Sequence, residues 1–100
     1  PVPPPRSPLE RAAELNQAGR VDEAIAAVRQ ALIESPDDRN AMAFAIALYA
    51  ERGQYQEAAQ LAKQLAAADT TNAPAILVNA ADFFLRAGDY AEVERCLEQA

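Results

Sequence analysis

The chain has three glycines in its 100 residues, Gly19, Gly53 and Gly88, and they are spaced by 34 and 35 positions. Each stands in the same setting, QAGRV, ERGQY or RAGDY, with a helix-forming stretch before it and another two residues after it. Glycine adopts the left-handed conformation that ends a helix without a Cβ penalty, so three glycines used only there predict three helix-turn-helix units. The expected fold class is all-α, with six helices.

The residues around the glycines agree. Ser7, Pro8 and Glu10 line up as N-cap, first helical residue and capping-box acceptor, which starts a first helix over Pro8 to Ala18. After the glycines, apolar residues recur with the helical period: Val21, Ala24, Ile25, Val28, Ala31 and Leu32; then Tyr55, Ala58, Leu61, Ala62 and Leu65; then Tyr90, Val93, Cys96, Leu97 and Ala100. Asp22, Glu23, Glu57 and Glu92 fall in first turns, where the helix dipole favours carboxylates. Between units, ESPDDRN and ADTTNAP carry the residues that stop one helix and cap the next. One stretch is ambiguous. Ala41 to Ala50, AMAFAIALYA, alternates large and small residues as a strand would, but alanine is depleted in strands and a helix-ending glycine follows closely. It is expected to be a central helix with neighbours on both sides.

Composition supports close helix packing and excludes much chemistry. Of the 51% apolar residues, 25 are alanine, the strongest helix former, which lets helices approach closely. No apolar run is long enough to span a membrane. With no histidine and one cysteine, the commonest general base, the commonest metal ligand and every Cys-rich zinc site are missing. The isolated glycines build no phosphate-binding loop. Asp37 with Asp38, and Glu92 with Glu94, read as cap and surface residues rather than catalytic pairs, and Cys96 reads as an inert core thiol. No catalytic, metal or cofactor site is expected, and the chain is not expected to be an enzyme. A net charge of −6 disfavours nucleic acid and anionic membrane surfaces, and fits basic or neutral protein partners.

Residues 1–7 are expected to be a proline-rich linker and residues 8–100 the folded domain. A chain opening at Pro1 is expected to be a piece of a longer protein, and eight arginines against one lysine suggest a bacterial source. The compartment, bacterial cytoplasm or periplasm, is then set by segments outside the chain.

The two-helix unit with a period near 34 resembles the tetratricopeptide repeat. Setting each glycine at position 15 gives units over 5–38, 39–72 and 74–100, with Ala73 inserted. The family's small position 20 is met by Ala24 and Ala58, its apolar position 11 by Leu15, Tyr49 and Phe84, and its position 17 by Val21, Tyr55 and Tyr90. Departures are Arg11 at position 7, Ile46 at the small position 8, Val93 at position 20, Leu65 at position 27 and Thr70 at the proline of position 32.

The resemblance implies a right-handed α-solenoid whose concave groove, lined by the first helix of each unit, holds an extended or helical segment of a partner protein. Carried over, the partner-binding residues are Leu9 and Asn16 in the first unit, Asn40, Ala43 and Ala47 in the second, and Val78, Asp82, Leu85 and Arg86 in the third. A subgroup of the family grips a C-terminal carboxylate through Lys, Asn and Arg. The matching positions here are Leu9, Ala13, Phe44, Ala75 and Asn79, of which only Asn79 is polar, so that mode is not expected. The 35-residue RNA-reading helical repeats need a basic groove, which the charge opposes.

The function expected is a protein-interaction scaffold within a larger bacterial multi-component assembly. The alternatives are a non-catalytic accessory domain of an enzyme such as a glycosyltransferase, or a self-assembly module with weak self-association through the C-terminal helix.

Overall fold

The computed structural model describes residues 7–100, which form six helices: α1 Pro8–Gln17, α2 Val21–Glu34, α3 Arg39–Glu51, α4 Tyr55–Ala68, α5 Ala73–Ala87 and α6 Tyr90–Gln99. The linker expected over residues 1–7 lies, apart from Ser7, outside the described residues. The helices stack in chain order as three pairs in a body of 54 × 26 × 18 Å.

The three glycines have φ of 81°, 74° and 82°. At each, the glycine N–H and the N–H that follows turn back onto the helix just ended. Gly19 donates to the Asn16 carbonyl at 3.0 Å and Arg20 to that of Leu15 at 2.8 Å; Gly53 and Gln54 repeat this on Ala50 and Tyr49, and Gly88 and Asp89 on Leu85 and Phe84. These paired bonds satisfy carbonyls that a helix end leaves open, and they fix the angle at which the next helix departs. The starts of α1, α3 and α6 are also capped by side chains. Ser7 Oγ accepts from the Glu10 N–H at 3.2 Å, and Asp38 accepts from the N–H groups of Asn40 and Ala41 at 3.0 and 3.1 Å. Where Thr70 replaces the family's proline, the Asp69 carboxylate holds the linker instead, accepting from the Asn72 backbone N–H and from its side-chain Nδ2 at 2.9 Å. Those Asn72 bonds hold the Asp69 carboxyl below its ordinary range, and Arg39 at 3.8 Å adds to the effect.

Among the described residues, twelve of the twenty buried apolar residues are alanine, which permits close helix approach, and no polar residue is buried. Ala41 to Ala50 is helical throughout: Ala41, Ala45, Leu48 and Tyr49 are buried, whereas Ala43 and Ala47 face solvent. The period-two look of AMAFAIALYA therefore came from small residues on two different faces of one helix. Tyr90 and Leu97 depart from the expected inward face of α6, being 67% and 53% exposed, because no described helix packs on that flank.

Contacts between units recur in register. The Arg29 guanidinium lies 5.8 Å from the Tyr49 ring centroid and its Nε donates to the Tyr49 hydroxyl at 2.9 Å, while the Lys63 ammonium lies 5.9 Å from the Phe84 ring. In both, position 25 of one unit reaches position 11 of the next. Lys63 also pairs with Glu92 at 2.8 Å, and Arg95 joins it. The two cations hold the Glu92 carboxyl below its ordinary range, hydrogen bonding from Lys63 first.

At each glycine an added Cβ would meet nothing within 4 Å, so Gly53→Val is opposed by backbone conformation alone. It is expected to destabilise by about 1–2 kcal/mol, a drop of several degrees in a thermal melt of a domain this size. An unchanged melt would contradict the turn's role.

Because the folded-state pKa of Glu92 is depressed, the stability it contributes is present above the unfolded carboxylate pKa and lost as pH falls through the folded one. Glu92→Gln should therefore melt lower than the parent at pH 7, with the gap closing in acid. Melting curves of both proteins from neutral pH to about pH 3 test this; a gap independent of pH would mean that packing, not charge, is what Glu92 supplies.

Candidate functional site

The first helices of the three units, α1, α3 and α5, bear the positions expected to line a groove. The structure sorts them into three settings. Asn40, Ala43, Ala47, Asp82 and Arg86 are exposed, and Asn16 is half-buried. Leu9 packs against the core cluster of the first two units. Val78 and Leu85 are about half exposed and lie about half a turn round α5 from Ile76 and Phe83, the side chains it turns toward α3 and α4. They thus occupy the outer flank of α5.

Between α3, α4 and α5 lies a cleft of about 210 Å³. Ile46, Leu65, Ile76 and Phe83 form its half-buried walls and Ala62 its floor, with exposed Ala43 and Asn79 at the rim. Of the groove residues expected from sequence, only Ala43 borders it. Ile46 and Leu65 are two of the departures from the family pattern: each is larger than the residue usual at its position, and the two come together on one wall system. That pair of misfits on neighbouring helices was the available signal for the cleft. Ile76 and Phe83, seven residues apart on one face of α5, were the other.

Asp82 and Arg86 are already partnered. The Arg86 Nε donates to Asp82 at 3.1 Å, and its guanidinium stands 5.6 Å from the Tyr55 ring, which stacks on Phe83 at 6.3 Å. The bond to Asp82 raises the Arg86 pKa above its ordinary value, so the guanidinium stays charged. Arg86 thereby ties α5 to the start of α4.

The described residues hold no cluster of His, Cys, Asp and Glu able to bind a metal ion. Cys96 is buried, and desolvation raises its thiol pKa, which leaves it protonated at neutral pH. No described helix is long and apolar enough to cross a membrane.

The pattern of the tetratricopeptide repeat matches residues 15–73 and again 49–100. The chain belongs to the tetratricopeptide repeat family. Such repeats generally mediate protein–protein interaction, and the family is typically a non-catalytic interaction module. No curated protein matches this tetratricopeptide chain.

Proposed function

We propose that the concave side of α1, α3 and α5 holds an extended or helical segment of a partner protein, and that one aliphatic side chain of that segment enters the cleft between α3 and α5. The observation that supports this reading most is the cleft: about 210 Å³, apolar within, with the Asn79 amide at its mouth. It is smaller than the roughly 300–1,000 Å³ pockets that enclose whole small molecules, and suits one side chain. Ala43 and Ala47 keep the approach low, and Asn16, Asn40, Asp82 and Arg86 supply the polar groups that orient the segment. Leu9, Val78 and Leu85 contribute at its margins, the first through packing and the other two from the flank of α5.

In this reading the chain is a module of a larger bacterial multi-component assembly. Ordering a short segment costs about 2–5 kcal/mol, so micromolar affinity is expected.

Panning a displayed random-peptide library against the protein tests the proposal. Selected peptides should share one aliphatic position, and Ala47→Arg should weaken them by about tenfold or more with an unchanged thermal melt, since Ala47 is exposed on α3. Peptides that bind the Ala47→Arg variant normally would place recognition on another face.

A further inference from the structure

The junction between the first and second units and that between the second and third use the same repeat positions, and only the latter is closed by charge. There, Ala66 and Cys96, at positions 28 and 23, are buried. The Lys63 ammonium, at position 25, lies against the Phe84 ring and bonds the Glu92 carboxylate, at position 19, at 2.8 Å. At the first junction positions 28 and 23 are Leu32 and Leu61, larger than their counterparts and only half-buried. With the Tyr49 ring they floor a groove of about 370 Å³ between α2 and α4, rimmed by Glu57, Gln60 and Gln64. Position 25 is again a cation, Arg29, but position 11 is Tyr49 instead of Phe84, and the Arg29 Nε donates to the Tyr49 hydroxyl at 2.9 Å. Glu57, the counterpart of Glu92, is exposed and has no hydrogen-bond or ion-pair partner among the described residues. One hydroxyl thus takes the cation that the next junction gives to its glutamate.

The spacing along α4 says which conformation fits this groove. Gln60 and Gln64, exposed and also without partners among the described residues, stand about 6 Å apart along the helix, as do Glu57 and Leu61. In an extended chain the groups on one side repeat every two residues, about 6.6 Å. A segment laid along α4 can therefore meet both amides with its backbone while side chains two residues apart reach Glu57 and Leu61. We infer that the groove docks an extended segment of a partner protein that carries lysine or arginine two residues from an aliphatic side chain. The cation pairs with Glu57, and the aliphatic group lies on Leu32 and Leu61. The internal repeat supplies the charge argument: the second junction is closed by Lys63 on Glu92, and the first has the acid without its cation. A small amine fits worse, because the exposed rim would leave most of it in water. A second copy of this chain also fits worse, since the linkers between its helices are at most four residues long and none carries the required pair.

The probe is the heptapeptide Thr-Leu-Thr-Lys-Thr-Leu-Thr, acetylated and amidated, which places leucine two residues from the lysine in either direction. One control has glutamate in place of the lysine, and another has serine in place of both leucines. In a titration followed by amide NMR shifts, the lysine peptide should bind at about 0.1–1 mM, each control about tenfold more weakly or worse. The shifts should centre on Leu32, Glu57, Leu61 and Gln64. Glu57→Lys should reverse the preference between the lysine and glutamate peptides, an outcome that unspecific adhesion to an apolar patch does not give. Tyr49→Phe, which makes the first junction like the second, should release Arg29 toward Glu57 and weaken the lysine peptide several-fold with circular dichroism unchanged. Gln60→Ala combined with Gln64→Ala should weaken it as well. Ala47→Arg should leave this binding intact, which separates it from the groove of the first helices. Equal affinity for the lysine and glutamate peptides, indifference to Glu57→Lys, or no shifts at several millimolar peptide would overturn the assignment. Butylamine displacing the peptide at equal concentration would overturn it in favour of a small amine, and a dimer in sedimentation that Glu57→Lys dissolves would do so in favour of a second copy.

Discussion

The left-handed glycine at the end of each unit's first helix is the constraint on which the other contacts rest. Its turn hydrogen-bonds the carbonyls of Leu15, Tyr49 and Phe84, and the side chains of Tyr49 and Phe84 are also buried. One residue per unit thus serves both the helix end and the core, and the second helix leaves at a set angle two residues later. That angle decides where position 25 of the second helix points. In the first two units it points at the position-11 ring of the next unit, so the cation–π contacts of Arg29 and Lys63 inherit their register from the glycine turn. A unit with a different turn would have the same residues and no such contact.

Alanine determines what this geometry can hold. Close approach of the helices leaves few sites for large side chains, and those that are fully buried, Phe84, Leu48 and Val28, contribute about 1.5–3 kcal/mol each. Alanine on α3 has a second consequence on the solvent side, where Ala43 and Ala47 leave the exposed face of the helix low. Against that background the larger Ile46 and Leu65 are only half-buried. They stand as walls, and the cleft lies between them and α5. Of the residues that add volume at normally small positions, Ile46, Leu65 and Val93, the first two meet at the cleft.

The fold was legible because its signals are local. Glycine spacing, Ser7 and Asp38 as caps, and the helical period after each turn all act within a few residues, and the structure repeats them at the same places. The groove was less legible. Asn40, Ala43, Ala47, Asp82 and Arg86 are exposed, but a residue on a first helix faces solvent, the preceding unit or the following one, and these directions differ by only one or two residues along the helix. Hence Leu9 packs inward, and Val78 and Leu85 turn outward, from positions counted together with the groove. The cleft was hidden for another reason: its walls come from three helices, and no single periodicity joins Ile46, Leu65 and Phe83.

The three units are alike in backbone but not in polarity along the array. Looking outward from the first unit, Ser7, Glu10 and Glu14 occupy the positions by which α3 and α5 meet their predecessors with mostly apolar side chains. Looking outward from the third, apolar residues reappear, but the cation that aligns one unit on the next has become Glu98. A helix presenting an aromatic ring at position 11, as α3 and α5 do, would meet an acid at the negative face of that ring instead of a cation. The third unit thus keeps apolar residues at the repeated positions but not the cation by which Arg29 and Lys63 align one unit on the next.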